Sequence, residues 1–233
     1  MTDTYRSSHR GADKADSYEQ DYEQGFLAEF WRNVERPLLM DMLHEIYPEG
    51  LGSRDHLDVA CGTGRILAAI APETRTSTGI DISPDMLRHA VRRAPEAIVE
   101  VADVTKLELV ETVDIVTAFR FFLNAEDELR RDALQTIWNA LRPGGFLIAN
   151  SHASPRSAIG VYRRVSRKLG RTADNTMAHD DFAAMLVDAG FEPAAGRTYG
   201  FVPLSTRIPS SLMDRLCVID RQLIEALPPR SGV

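Results

Sequence analysis

The segment Leu57-Asp58-Val59-Ala60-Cys61-Gly62-Thr63-Gly64-Arg65 decides how this chain folds. The short run His56–Cys61 has the length of a buried strand, glycines at 62 and 64 permit a tight turn, and Arg65–Ala71 carries a helical pattern. A strand that passes through a glycine-bearing turn into a helix sets bare backbone and a helix N-terminus against a ligand. It is also the opening unit of a parallel βαβ sheet.

Outward from this segment the alternation continues. Thr76–Ile82 is a predicted strand, Pro84–Arg93 a helix, Ile98–Ala102 a third strand and Val113–Phe119 a fourth. A long helix, Glu126–Leu141, follows, and Pro143-Gly144-Gly145 is expected to turn it into a fifth strand, Phe146–Asn150. Short strands separated by helices predict an α/β fold, a doubly wound, mostly parallel Rossmann-like sheet. Apolar residues at helical spacing from Tyr18 to Ile46 predict an N-terminal helical lid, which Pro37 should divide into two helices. Beyond the core come a predicted helix at Asp180–Ala189 stopped by Gly190, a strand at Phe191–Tyr199, and an extra C-terminal helix at Ile208–Leu227 with no strand after it. The expected domain map is a loosely ordered stretch at 1–17 and a single domain at 18–233. Within that domain we expect a helical lid at 18–50, a ligand-binding core at 54–151, an insertion at 152–178 and a helix-strand-helix tail at 179–233.

Composition excludes several classes. The chain has 233 residues, 44% hydrophobic and 26% charged, the balance of a folded globule rather than a disordered chain. No apolar run approaches the roughly 18 residues of a membrane span. The N-terminus is polar and lacks the apolar middle of a secretion signal. Cys61 and Cys217 make no disulfide framework and suit a reducing cytoplasm, the expected location. The histidines and cysteines show no ligand spacing, so no metal is expected. With 27 basic against 34 acidic residues and a net charge of −7, nonspecific nucleic-acid binding is disfavoured.

Two further acids stand at the ends of predicted strands, Asp81 in GIDIS and Asp103 in VADV. A dinucleotide loop would want its third glycine where Leu67 stands, and the Asp58 carboxylate would repel a pyrophosphate but welcome an amino group or sulfonium. In this combination the chain resembles the class I S-adenosylmethionine-dependent methyltransferases, well over about residues 55–151 and more weakly to about 200. The resemblance implies that LDVACGTG, with Asp58, Ala60, Gly62 and Gly64, holds the methionine end of S-adenosylmethionine, which leaves as S-adenosylhomocysteine. It implies that Asp81 grips both ribose hydroxyls, that Ile82 and Met86 pack on the adenine, and that Asp103 accepts from the adenine amino group beside Val104. DIVTAFRFFLN (114–124) and LRPGGFLIANS (141–151) match later motifs of the family. Ala60 departs from a family glycine. Each strand-end acid also has a plainer reading as a helix cap or turn former.

Methyl transfer is an in-line displacement at an activated carbon, so a base is needed only where the acceptor must lose a proton, as an alcohol must. In such sheets the acceptor lies above the ends of the fourth and fifth strands. His152 is the candidate base and Asn124 its partner; the alternative for His152 is an ordinary loop histidine. Phe119 is counted with the cofactor contacts. Phe121 and Arg120 are counted with the acceptor, Arg120 because a guanidinium can fork onto a carboxylate or phosphate. Tyr18 and Tyr22 lie in the segment that in the family folds over the cofactor, where aromatic faces suit a sulfonium, or else simply pack on the sheet. The basic stretch 162–171 is either a solvated face or an attractor for an anionic acceptor. The expected activity is methylation of a small-molecule hydroxyl in a sugar, glycan precursor or natural product. The alternatives are N-methylation of a small amine, a catalytically silent binding subunit, and a nicotinamide oxidoreductase. Pro203 makes 201–208 a poor strand, so an incomplete seventh strand is expected, with an exposed edge that favours a homodimer.

Overall fold

The computed structural model describes residues 15–16, 19–20, 26–151, 177, 179–200, 210–226 and 230–231. Tyr18, Tyr22, His152, the basic stretch 162–171 and the segment 201–208 lie outside the described residues, as do nearly all of 1–17 and of 152–178.

Helix α1 (Phe26–Phe30) runs through a π-helical turn (Trp31–Glu35) directly into α2 (Arg36–Ile46). The break expected at Pro37 is therefore a change of winding and not a division into two helices. A proline lacks an N–H and its ring collides with the carbonyl four residues back; the wider turn just upstream accommodates both, and the Arg36 N–H bonds to Trp31 O. Leu39 and Leu43 of α2 bury against Ile66 and Ile70, and through them against Ile115 and Ile148 of the sheet.

The sheet consists of β1 (Asp55–Val59), β2 (Thr76–Asp81), β3 (Ile98–Val101), β4 (Val113–Ala118) and β5 (Leu141–Ala149), ordered β3-β2-β1-β4-β5 and parallel throughout. Helices α3 (Arg65–Ile70), α4 (Pro84–Arg93) and α5 (Asp127–Ala140) are the crossovers. Ser83 caps α4 by accepting from the Met86 N–H. The chain proceeds outward from β1 through β2 to β3, then returns to β4 on the other side of β1. This reversal opens a crevice above the carboxyl ends of β1 and β4.

Two sequence expectations change. Pro143-Gly144-Gly145 is not a turn ahead of β5 but a bulge inside it: Val113 pairs with Leu141, and the next partners are Ile115 and Phe146. Gly145 passes so close to β4 that a Cβ there would stand 2.9 Å from Asp114 O. The strand expected over 191–199 shrinks to β6 (Ala195–Gly196), which pairs antiparallel with β7 (Arg230–Ser231) in a separate two-stranded sheet. Phe191 is drawn into the stop of α6 (His179–Asp188), its N–H on Leu186 O and its ring edge-on to Trp138, and Pro193 lacks a donor. A strand thus does follow the last helix, α7 (Ser210–Ala226). Among the described residues the main sheet has five strands, and no helix is long and apolar enough to cross a membrane.

At the amino ends of the strands, Asp55 of β1 accepts from Arg75 Nε at 2.9 Å, Thr76 Oγ1 at 2.7 Å and Arg142 Nη2 at 2.9 Å. Arg142 also reaches Asp114 Oδ2 of β4 at 2.7 Å, which ties β1, β4 and β5 together. The Arg75 hydrogen bond, outweighing the burial that opposes it, holds Asp55 well below the usual carboxylate range. A depressed carboxyl stabilises the fold fully above its unfolded pKa and loses that contribution as pH falls toward the folded value. Asp55→Asn is therefore expected to melt below the wild type at pH 7, with the gap narrowing as pH drops below about 4; calorimetry across pH 2 to 7 measures it.

Candidate active site

The turn after β1 is built from left-handed residues: Ala60 (φ 54°), Gly62 (φ 55°) and Gly64 (φ 78°). Ala60 tolerates a conformation that glycine adopts without penalty, at about 1 kcal/mol. At Gly64, the N-cap of α3, a Cβ would stand 2.8 Å from Ala90 Cα in α4, so this glycine is what lets the two helices meet. The Gly62 N–H donates to Asp81 Oδ2 at 3.0 Å and the Ser83 N–H to Asp81 Oδ1 at 2.8 Å. Two amides from two loops thus fix the plane of this carboxylate at the mouth of the crevice.

One cleft gathers most of the residues singled out in the sequence. Ala60, Gly62, Asp81, Ile82, Met86, Asp103 and Val104 line it together with Phe119, Arg120, Phe121 and Asn124. Asp103 keeps both of its readings: it lines the cleft, and its Oδ1 accepts from the N–H and hydroxyl of Thr105. Two of the residues singled out stand off the cleft lining. Gly64 faces α4, and Asp58 lies buried at the end of β1, beneath the loop and not on the cleft wall.

The end of the cleft beyond β4 and β5 is held by a cluster in which Glu35 is central. Arg120, left-handed at φ 63°, donates its N–H to Asn150 Oδ1 at 2.7 Å, and Asn124 Nδ2 donates to Arg120 O at 2.8 Å. The Asn124 amide thus anchors the turn after β4. The Arg120 guanidinium reaches Glu35 Oε1 at 3.2 Å, Arg65 reaches Glu35 Oε2 at 3.4 Å while lying over the Trp31 ring, and the Tyr199 hydroxyl donates to Glu35 Oε1 at 3.3 Å. Burial, reinforced by the neighbouring Glu35 carboxylate, pushes the Tyr199 phenol up, so it stays a donor. Glu35 is only 3% exposed. Sequence inspection missed it, although an acid one turn after Trp31 and one turn before Leu39, on the apolar stripe of a helix, is a signal.

A fixed carboxylate suits a vicinal diol, an apolar slot at Ile82, Met86 and Val104 suits a planar base, and Asp103 suits its exocyclic amine. Residues 57–145 match the family model of the methyltransferase domain. Over this segment the chain carries a methyltransferase domain of the class I S-adenosylmethionine-dependent type. It is 34% identical over 95 residues to dTDP-4-amino-2,3,4,6-tetradeoxy-D-glucose N,N-dimethyltransferase of Saccharopolyspora spinosa, covering 40% of this chain and 38% of that one. It is 34% identical over 121 residues to dTDP-3-amino-3,4,6-trideoxy-alpha-D-glucopyranose N,N-dimethyltransferase of Streptomyces venezuelae, covering 50% of this chain and 51% of that one. The chain therefore spans about half or less of these relatives' lengths. The fold is shared with magnesium protoporphyrin IX methyltransferase of Synechocystis PCC 6803, solved with bound S-adenosylhomocysteine, at TM-score 0.65 and 18% identity over 79% of this chain and 88% of that one. The diol, base and amine that the cleft suits are those of S-adenosylmethionine, the methyltransferase cofactor.

Three substitutions test this geometry. Gly62→Ala meets only backbone strain, about 1 kcal/mol, because nothing stands within 4 Å of the added Cβ; Gly64→Ala adds the collision with Ala90, about 3 kcal/mol in all. Glu35→Gln leaves the buried Arg65 without its carboxylate and is expected to lose about 3 kcal/mol. Denaturant unfolding ranks all three variants.

Proposed function

We propose that the protein transfers methyl groups from S-adenosylmethionine to the amino group of a small molecule, with a nucleotide-linked amino sugar as the favoured acceptor class. The observation that carries the cofactor half is the Asp81 carboxylate, held by the Gly62 and Ser83 amides at the edge of an apolar slot. Asp81 takes the ribose hydroxyls, Ile82, Met86 and Val104 pack the adenine, Asp103 accepts from its amine, and the turn Ala60–Gly64 receives the amino-acid end. Bound there, S-adenosylmethionine supplies a methyl carbon activated by its sulfonium.

The choice of nitrogen rests on the two 34%-identical relatives, both named as N,N-dimethyltransferases of dTDP-amino sugars. Elementary chemistry agrees: a neutral amine attacks with its own lone pair and needs no base in the transition state. The hydroxyl acceptor first expected depended on His152, which lies outside the described residues, and on Asn124, whose amide holds the turn. Phe119 and Phe121 exclude water from the reacting centre, and Arg120 brings a cation to the rim, suited to the phosphates of a nucleotide carrier.

Calorimetric titration tests the cofactor: micromolar binding of S-adenosylmethionine and S-adenosylhomocysteine, no binding of NAD, and a loss of about 30-fold or more in Asp81→Ala. Binding of neither adenosyl compound would leave a silent binding subunit, and binding of NAD alone an oxidoreductase. Mass spectrometry of dTDP-amino sugars beside their hydroxyl counterparts tests the acceptor. Methyl groups should appear on the amine and not on the hydroxyl.

A further inference from the structure

Beneath the cofactor turn a line of hydrogen bonds crosses three strands. Thr117 Oγ1 of β4 donates to Asp58 Oδ1 of β1 at 2.7 Å. His56 Nε2 lies 2.8 Å from the same Thr117 oxygen, His56 Nδ1 lies 2.9 Å from Ser77 Oγ of β2, and Ser77 Oγ lies 2.9 Å from Thr74 Oγ1. His56, Asp58, Ser77 and Thr117 are all buried. A hydroxyl has one proton, and that of Thr117 goes to Asp58. His56 must therefore carry its proton on Nε2 and accept from Ser77 on Nδ1. Every donor in the line points toward Asp58.

At the end of that line Asp58 Oδ2 is buried and accepts no hydrogen bond of normal geometry, the Leu67 amide being the backbone donor that acts on the carboxylate. The groups facing Asp58 are Arg65 and the Leu67 amide on α3, Asp81 on β2, the neutral Cys61 thiol in the turn, and Thr117 on β4. Burial raises Asp58 to about 7, against the Thr117 hydrogen bond and Arg65, with Asp81 adding to the rise. Burial likewise lowers His56 to about 3, so the ring stays neutral. If Asp58 gains a proton, it donates to Thr117, Thr117 donates to His56 Nε2, and the ring proton moves to Nδ1 and Ser77. The same atoms thus support two opposite polarities.

We propose that His56 and Thr117 are positioning residues that hold Asp58 charged beneath the turn as the counter-ion for the ammonium group of the ligand's amino-acid tail, and that the line reverses when Asp58 is protonated. This rests on the reading that the cleft takes S-adenosylmethionine with Asp58 toward its amino-acid end, as the resemblance implies; what is new is the role of His56 and Thr117, which never touch the ligand. A cationic ligand above the turn meets the Asp58 charge through a low-dielectric floor, where the attraction is little screened.

The first experiment needs no ligand. Nitrogen-15 NMR of the histidine rings should show His56 as the Nε2–H form at pH 8, converting to Nδ1–H toward pH 6; an unchanged ring over that range overturns the reversal. The second compares S-adenosylhomocysteine with methylthioadenosine, which lacks the amino-acid tail. The first ligand should bind about tenfold more weakly at pH 6 than at pH 8, and the second equally at both. In Thr117→Val, S-adenosylhomocysteine should weaken about three- to tenfold at pH 7.5 with methylthioadenosine unchanged, and Thr117→Ser should restore wild-type behaviour. Equal weakening of both ligands would make the hydroxyl merely structural and overturn the proposal. Failure of the wild type to bind either ligand sinks the cofactor reading and the role of Asp58 with it, whereas tight binding without pH dependence overturns only the positioning line.

Discussion

The burial of β1 on both faces is the constraint on which the rest depends. Parallel strands covered by helices on either side are normally runs of aliphatic residues. Here three of the five residues of β1, Asp55, His56 and Asp58, are polar, and all five are buried. Each of the three must find its partners on neighbouring strands. Asp55 finds arginines at the amino end, His56 finds hydroxyls on both sides, and Asp58 finds Thr117. The register of β1 against β2 and β4 is thereby specified by polar pairing as well as by apolar packing, since a slip of one residue would break every one of these bonds.

The same constraint explains what was legible in the sequence. The strand-helix alternation, the glycine turn, and the acids Asp81 and Asp103 depend on neighbours close in the chain, and most of them occupy the predicted cleft. Features that depend on a partner across the sheet were not legible. The bulge in β5 arises because Gly145 passes against Asp114 O, and nothing near Pro143 announces that contact. His56 gave no local signal at all, because its partners Ser77 and Thr117 stand 21 and 61 positions away. Asp58 was recognised as unusual, but its depth was not, because the turn above it is what covers it.

The glycine turn after β1 and the turn after β4 are one mechanical unit. Arg65 stands at the start of the helix that follows the turn, Arg120 at the end of β4, and both meet on the carboxylate of Glu35. A charge buried between two cations fixes each of them more firmly than a neutral side chain could, at the expense of desolvating all three. Tyr199 and Asn150 complete the cluster, so the left-handed Arg120 backbone is held from two sides.

The π turn at Trp31–Glu35 has a consequence for the helix that carries it. An α-helix shows each neighbour a stripe that advances at a constant pitch, and one extra residue in a turn slips that stripe by about 100°. Phe30, before the slip, and Val34, within it, meet Cys217 and Ile224 of the last helix; downstream, Leu39 and Leu43 meet Ile66 and Ile70 beside the sheet. One rod thereby serves two walls that do not line up. Deleting a single residue from the turn would restore the regular pitch, and the two halves of the helix could no longer face both walls at once.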